Sequence, residues 1–179
     1  MTAPGDEERF FEIVDGERRP IPPPGVLAGL TTTHLAGELA IFAKSHHLGE
    51  AVAYVLFRLR QAGDRCRMPD VAFVSYQRWP AGSPMSYTDE WWDVVPDLVG
   101  EVVTQEERAE ELKAKVFDYF QAGVKLVWII YPRLQLVDVY ESLTKISGLT
   151  SSDTLDGGNV LPGLRFPVAA LFPETVPPA

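Results

Sequence analysis

Cysteine and histidine are scarce in this 179-residue chain, which has one cysteine and three histidines. Cys66 alone cannot form a disulfide within the chain, so we expect no disulfide framework and a cytoplasmic protein. His46 and His47 are adjacent, and adjacent side chains on a helix do not face the same way. The sequence therefore argues against a classical zinc site.

Long apolar runs and excess positive charge are also missing. No apolar run approaches the ~18–20 residues of a membrane span, and the first residues are polar and acidic, unlike a signal peptide. We therefore expect no membrane association. The formal net charge is −9, which argues against a protein that coats nucleic acid through a basic surface. It does not exclude an enzyme in which a metal ion supplies positive charge locally.

The apolar periodicity predicts a mixed β-sheet flanked by helices, an α/β or α+β fold. Asp15-Gly16 follows an alternating segment and is a tight-turn signal, so the chain should begin with a β-hairpin. A threonine among 31–33 should cap the first helix. We expect strands near 10–14, 51–59, 67–74, 97–103, 125–131 and 136–140, and helices over 31–44 and 104–121.

The chain length suits one domain. We expect a frayed N-terminus over 1–9, a single domain over 10–172, and a Pro-rich tail over 173–179. A long connection over 77–93 carries three tryptophans. These tryptophans would either cover the core or form an interface with a partner.

Two acids lie in or beside apolar strand segments. Asp70 opens the segment 71–74, and Glu101 lies inside 98–103, where a charged side chain is costly without a partner or a metal. Mg²⁺ prefers oxygen ligands and often takes one or two carboxylates. Alternatively, Asp70 is a turn aspartate, and Glu101 pairs structurally with an Arg or Lys.

A lysine beside such acids could orient the attacking water or offset the charge of a phosphate. Val103 stands where the common Glu-x-Lys nuclease pattern has its lysine, so the lysine would have to come from the next helix. Lys113 and Lys115 both lie on the flanks of the buried stripe, and helical geometry does not choose between them.

Further acids have simpler explanations. Asp97 shares the face of Glu101 but lies ~13 Å away along the strand, so we expect a strand-start or supporting role. Glu38 on the first helix is expected at the surface. The glutamates at 106, 107, 110 and 111 are expected at a solvated helix start.

Several stretches resemble one known family in order and spacing, from residue 10 to about residue 172. They are Phe-Glu-Ile-Val-Asp-Gly-Glu (11–17), His34, Met-Pro-Asp-Val-Ala-Phe-Val (68–74), Pro-Asp-Leu-Val-Gly-Glu-Val (96–102), Lys-Val-Phe-Asp-Tyr-Phe-Gln-Ala-Gly-Val (115–124), Trp-Ile-Ile (128–130), Val-Asp-Val-Tyr (137–140) and Leu-Pro-Gly-Leu (161–164). The family is the putative restriction endonucleases most abundant in cyanobacteria, a branch of the PD-(D/E)XK nuclease superfamily.

This resemblance implies a restriction-endonuclease-like fold and an active site. Asp70 and Glu101 would bind the metal, and the carbonyl of Val102 would complete its shell. Lys115, nine residues before Val124, corresponds to the lysine that has moved to the helix. The family usually has Ser-Pro-Ser after the strand, whereas this chain has Thr-Gln-Glu at 104–106.

The resemblance predicts a DNA endonuclease that depends on Mg²⁺ or Mn²⁺ and acts as a homodimer. Two alternatives remain at this point. One is a non-catalytic interaction module that keeps the nuclease fold. The other is a metal-dependent phosphodiesterase that acts on RNA or nucleotides.

Overall fold

The computed structural model describes residues 10–63, 65–85, 88–105 and 107–174. Its strands are β1 (Phe11–Val14), β2 (Glu17–Pro20), β3 (Gly49–Ala53), β4 (Phe57–Leu59), β5 (Arg65–Arg67), β6 (Val71–Ser75), β7 (Leu98–Val102), β8 (Leu126–Tyr131), β9 (Leu136–Tyr140), β10 (Ile146–Thr150), β11 (Thr154–Asp156) and β12 (Arg165–Pro167). Its helices are α1 (Val26–Ser45) and α2 (Ala109–Ala122), with short 3₁₀ turns at Arg60–Ala62 and Val168–Leu171.

The central sheet has six strands in the order β10-β9-β8-β7-β6-β3. Strands β7 and β8 are parallel and are joined through α2, while the other neighbours are antiparallel. A second sheet has the order β2-β1-β5-β4, and β11 pairs with β12. The N-terminal β-hairpin therefore pairs with β5, and the chain continues from β5 into β6 of the central sheet.

The two helices cover opposite faces of the central sheet. On one face, Leu35 of α1 packs in a cluster with Leu98 and Trp128. On the other face, Tyr119 of α2 packs in a cluster with Val99. Because side chains alternate along a strand, β7 directs Val99 and Glu101 toward α2 and its remaining residues toward α1.

Gly100 lets α1 lie close to β7. A Cβ atom built at Gly100 would lie 2.7 Å from Cδ2 of Leu35, which is too close for two carbon atoms. Leu35 is fully buried and has little room to move. The glycine between Val99 and Glu101 therefore sets the spacing between the helix and the strand that carries the acid.

The predicted mixed fold and N-terminal hairpin are confirmed. The predicted helix starts were wrong by five residues in each case. Helix α1 begins at Val26, directly after a Pro-rich loop, so the threonines at 31–33 do not cap it. Thr33 instead donates its hydroxyl to the carbonyl of Gly29 inside the helix. Helix α2 begins at Ala109, because Arg108 has an extended backbone.

Two predicted strands were each divided in the structure. The segment 51–59 breaks at Tyr54, a non-glycine residue with a left-handed backbone (φ 54°). The segment 67–74 breaks between β5 and β6, where the chain passes from one sheet to the other. Strands β10 to β12 lie beyond residue 140, where the sequence analysis predicted no strand.

The tryptophans of the 77–93 connection cover the core. Trp79 and Trp92 pack against the cluster on the α2 face, and Trp91 packs against the cluster beneath the hairpin. The domain boundaries at 10 and 172 stay a prediction. The expected frayed segment 1–9 lies outside the described residues, as do 175–179 of the tail.

Helix α1 is long and apolar enough to cross a membrane by length and composition alone. The search for long apolar runs did not single out this helix, because the threonines at 31–33, His34 and Glu38 interrupt it. In the structure, Leu35, Leu39 and Ala43 of this helix pack against the central sheet. A core helix passes the same test of length and composition, so the packing is the more informative observation.

The contact between Gly100 and Leu35 generates a stability prediction. Gly100→Ala should lower the free energy of unfolding by about 1–3 kcal/mol, because it overpacks a closed contact. Gly37→Ala in α1 is the matched control, since a Cβ there meets no atom within 4 Å. That control should stabilise the protein by about 0.4–1 kcal/mol. Urea denaturation measures both, and equal midpoints would contradict the close packing.

Candidate active site

A cavity of about 660 Å³ lies between the hairpin, the end of β7 and α2. It is at the carboxyl end of β7, where β6 begins. Its lining includes Asp70, Glu101, Val102 and Lys115. The structure therefore brings all four residues of the predicted site to one cavity, although they are distant in sequence.

Asp70 and Glu101 lie at the end of the antiparallel β6–β7 ladder. Val71 and Gly100 form the last pair of this ladder, so Asp70 directly precedes it on one strand and Glu101 directly follows it on the other. The charge of Asp70 raises the pKa of Glu101, as expected for acids that are close together. Both carboxylates line the same cavity and could approach one ion from its two sides.

Asp70 is held by the backbone of the neighbouring strand. The amide N–H of Val102 donates to Oδ2 of Asp70 at 2.7 Å. Burial raises the pKa of Asp70 to about 6, and the hydrogen bond from Val102 and the charge of Lys115 oppose this rise. The side chain is therefore fixed in direction but costly to ionise.

Glu101 is only 2% exposed. Its Oε1 accepts a hydrogen bond from the hydroxyl of Tyr119, and its Oε2 lies 3.3 Å from Nζ of Lys115. Burial raises the pKa of Glu101 to about 8, more than Lys115 lowers it, and the charge of Asp70 adds to the rise. Burial is therefore the main cause, and the neighbouring acid is a smaller one.

Lys115 and Lys113 point to different surroundings. Nζ of Lys115 lies 3.3 Å from Glu101 and 3.1 Å from Oε1 of Glu107. Lys113 instead donates to the hydroxyl of Tyr140 at 2.8 Å and lies over its ring. Helical residues two positions apart differ in direction by about 200° around the helix axis, so only one of these two lysines can face the cavity. The structure places Lys115 there.

Glu12 on β1 is an acid of this cavity that the sequence analysis did not single out as a site residue. It is 4% exposed and lines the cavity together with the predicted acids. Its Oε2 accepts from Arg67 at 2.6 Å, and its Oε1 accepts from the amide of Met68 at 3.2 Å. Its negative charge also raises the pKa values of Asp70 and Glu101.

A chain of ion pairs connects Glu12 to the helix that carries Lys115. Arg67 donates through Nη1 to Oε2 of Glu12. Its Nε and Nη2 both donate to Oδ2 of Asp118 on α2. Arg65 donates to Oδ1 of the same Asp118 at 2.5 Å and to Asp15 in the hairpin turn at 2.8 Å. Asp118 is 1% exposed. The chain fixes the hairpin and α2 on two sides of the cavity.

The fold is the one that the resemblance implies, and a family comparison decides the assignment. A profile described as "Uma2: Putative restriction endonuclease" matches residues 3–169. The chain belongs to the Uma2 family.

A solved structure supports the restriction-endonuclease-like fold of this Uma2 chain. It is the crystal structure of a protein from Anabaena variabilis ATCC 29413, described as a putative nuclease belonging to DUF820. The two share 16% identity with a TM-score of 0.78, over 92% of this chain and 90% of that one. A search of curated proteins gives no match. The structural likeness concerns the fold alone.

The donor set in the cavity fits a hard divalent cation. Within the described ranges, no group of three or more His, Cys, Asp or Glu side chains could hold a metal. Two carboxylates are enough for Mg²⁺, which usually keeps several waters. Asp70 and Glu101 are desolvated acids whose raised pKa values show that they lack full compensation for their charge. A bound cation would provide that compensation.

Asp97 and Glu107, two further acids from the sequence analysis, lie in different places. Asp97 is buried at the opposite end of β7, where it binds the amide of Ser75 and the ammonium of Lys125. It is therefore a strand-start residue, one of the two roles that we expected. Glu107 precedes α2 and lines the cavity, which differs from the expected solvated helix start. The neighbouring residue 106 lies outside the described residues.

The ion chain generates a second stability prediction. Arg67→Ala should cost about 3–5 kcal/mol, because it leaves Glu12 and Asp118 buried without their cation. Arg60→Ala is the control, since Arg60 pairs with Asp93 at the surface, and such pairs contribute about 0–1 kcal/mol. Arg67→Lys should fall between them, because it keeps the charge and loses the two-pronged contact. Urea denaturation gives the ranking, and a loss of less than 1 kcal/mol in Arg67→Ala would contradict it.

Proposed function

We propose that this chain is a metal-dependent endonuclease that hydrolyses phosphodiester bonds in DNA. The observation that carries the proposal is that Asp70 and Glu101 line one cavity, with Nζ of Lys115 at 3.3 Å from Oε2 of Glu101. The description of the Uma2 family supports the same reaction class.

Asp70, Glu101 and the carbonyl of Val102 would hold Mg²⁺ or Mn²⁺. When bound, the ion supplies Lewis-acid charge to the scissile phosphate and to the attacking water. Asp70 is aimed by the amide of Val102, and Glu101 is aimed by Tyr119. These hydrogen bonds orient the carboxylates before any ligand arrives. Glu12 lines the same cavity, and its carboxylate is paired with Arg67.

Lys115 would act as a fixed positive charge. Burial alone would lower the pKa of Lys115, but Glu101, Glu12 and Glu107 together raise it above its ordinary value. These neighbouring acids therefore favour the ammonium form of Lys115. It would orient the attacking water or stabilise the charge that develops on the phosphate.

Glu107 and the acidity of the chain favour a second candidate. Glu107 lies 3.1 Å from Lys115, so an incoming phosphate would compete with this carboxylate. The net charge of −9 also opposes tight metal-free binding of DNA. The alternative is a non-catalytic module that keeps the nuclease fold. Action on RNA or nucleotides remains the other alternative substrate class.

We also propose that two copies of the chain assemble and that the protein works in the cytoplasm. Cutting both strands of a duplex is simplest with two sites related by a twofold axis. The tryptophans of the 77–93 connection no longer support this assembly, because they pack against the core. Light scattering at micromolar concentration tests it, and a mass of one chain would remove the dimer.

Cleavage of a supercoiled plasmid tests the function. The wild type should nick the plasmid with Mg²⁺ or Mn²⁺ and should be inactive with EDTA. Lys115→Ala should abolish nicking, because the phosphate loses its ammonium, while metal binding measured by calorimetry remains. Glu101→Ala should abolish both.

Lys113→Ala is the matched control for the lysine variant. Its ammonium contacts Tyr140 rather than the acids, so nicking should stay within about twofold of the wild type, and circular dichroism should show that both variants are folded. Inactivity in Lys113→Ala alone would show that the lysine is assigned wrongly. No cleavage of DNA or RNA by the wild type with any divalent metal would favour the interaction module.

The raised pKa values generate a prediction about metal binding. Each acid must be deprotonated to bind the ion, and their pKa values are raised to about 6 and about 8. Metal affinity should therefore rise with pH through this window and level off above about 8. Near pH 7, Mn²⁺ binding should release protons. Calorimetry in two buffers of different ionisation enthalpy should then give different apparent enthalpies, and equal values would contradict the prediction.

A further inference from the structure

Most cations in the described part of this acidic chain are already paired. Arg18, Arg60, Arg65, Arg67, Arg78, Lys115, Lys125, Lys145 and Arg165 each contact a carboxylate. Within the described residues, Lys44, Arg108 and Arg133 have no ion pair, hydrogen bond or ring contact. Two of these three, Arg108 and Arg133, lie on segments that leave the carboxyl ends of β7 and β8.

A groove with a volume of about 540 Å³ lies at this edge of the sheet, and we call it the side groove. It is lined by residues 103–105, which follow β7, and by residues 131–134, at the end of β8 and in the following turn. Thr104 lines both the side groove and the active-site cavity. The two surfaces are therefore continuous at this residue.

The side groove adjoins the acids because of the strand pairing. Val102 pairs with Ile130 in the parallel β7–β8 ladder. The residues that follow them, Val103 and Tyr131, are the first residues of the groove on each strand. Glu101 is two residues before the groove residue Val103. Ligands of α/β sheets commonly bind beyond the carboxyl ends of adjacent parallel strands, and the groove occupies that position.

The side groove differs from the cavity in its charge. The cavity lining contains six acids, Glu12, Asp15, Asp70, Glu101, Glu107 and Glu111, and four cations, Arg19, Arg65, Arg67 and Lys115. Among the described residues, the lining of the side groove contains no acid, and its one charged residue is Arg133. A phosphate in the groove would therefore meet a guanidinium that has no carboxylate beside it in the described lining.

Apolar and aromatic groups complete the groove. Leu134 is 66% exposed, a large fraction for an apolar residue. The half-buried ring of Tyr131 is anchored because its hydroxyl donates to Asp138 at 3.2 Å. Single-stranded nucleic acids bind surfaces that combine a cation for the phosphate with apolar or aromatic faces for the bases. The groove has both parts.

We propose that the side groove binds the nucleotide next to the scissile phosphate, with Arg133 on a backbone phosphate and the base against Tyr131 and Leu134. The strand would pass over Thr104 from the cavity into the groove. The position of the scissile phosphate in this arrangement rests on the proposed nuclease function, whereas the binding of a nucleic-acid strand by the groove does not.

Binding of a fluorescein-labelled 16-nucleotide DNA strand, measured by anisotropy with Ca²⁺, tests the proposal. A gel taken afterwards shows that the strand is intact. Arg133→Ala should raise Kd about three- to tenfold and reduce the salt dependence by about one phosphate contact. Leu134→Glu should raise Kd further, because it adds an acid and removes an apolar face.

Lys44→Ala is the matched control. Lys44 is an exposed, unpaired cation in the last turn of α1, which leads into the start of β3 and thus lies at the opposite end of the sheet. This variant removes the same charge and should leave Kd within about twofold. Equal losses in Arg133→Ala and Lys44→Ala would mean that only net charge matters, and this result would overturn the proposal. An absence of wild-type binding would overturn it as well.

Plasmid nicking separates this proposal from the proposed function. If the wild type binds the strand through Arg133 but never cleaves, the groove stands and the nuclease function fails. If the wild type cleaves while Arg133→Ala keeps both Kd and KM unchanged, the function stands and the groove fails.

Discussion

The burial of Glu101 is the constraint on which the rest of this structure depends. A carboxylate in the central strand of a sheet is costly unless it is paired or protonated. Tyr119 and Lys115 provide its partners, and both come from α2. Helix α2 must therefore cover this face of β7 in one orientation. A shift of the helix by one residue would turn Lys115 away by about 100° and leave the acid without its cation.

The ion chain of Arg67 and Arg65 supports this orientation from the other side. Asp118 lies three residues after Lys115 on α2, so its two guanidinium partners hold the same turn of the helix. The chain ends at Glu12, which brings the hairpin to the cavity. Buried ion pairs contribute little net stability, but breaking one is costly. Their value here is therefore geometric, because they align three elements around one cavity.

The two acids differ in how far the sequence alone singled them out. Glu101 lies inside an apolar strand, and the cost of burying a charge makes such a residue conspicuous. Asp70 only opens an apolar segment, a place that also suits a turn aspartate, so its selection rested on the resemblance. The choice of Lys115 over Lys113 was not available from helical periodicity, since both flank the buried stripe, and it rested on the resemblance. The structure places Lys115 in the cavity, and its chemical role stays a prediction.

Glu12 was missed for a physical reason. It alternates with apolar residues in a hairpin, a pattern that indicates a solvent-facing side chain. Its burial depends on Arg67, a partner 55 residues away in sequence. The break at Tyr54 was missed for a related reason, because a left-handed tyrosine has no local signal of the kind that glycine gives. The helix and strand types were predictable from local patterns, whereas these features arise only from contacts between distant segments.

The charges around the cavity and the side groove are consistent with two different roles in the proposed reaction, one in binding the metal ion and one in binding the nucleic-acid strand. The cavity lining has six acids against four cations, so a phosphate would bind there more readily together with a divalent ion than without it. This coupling would also protect a strongly acidic protein from holding nucleic acid without its metal. The side groove has the opposite character, since the part of its lining that the structure describes has one arginine and no acid. A strand held there would present its next phosphate to the cavity at high local concentration, which would offset the repulsion by the rim.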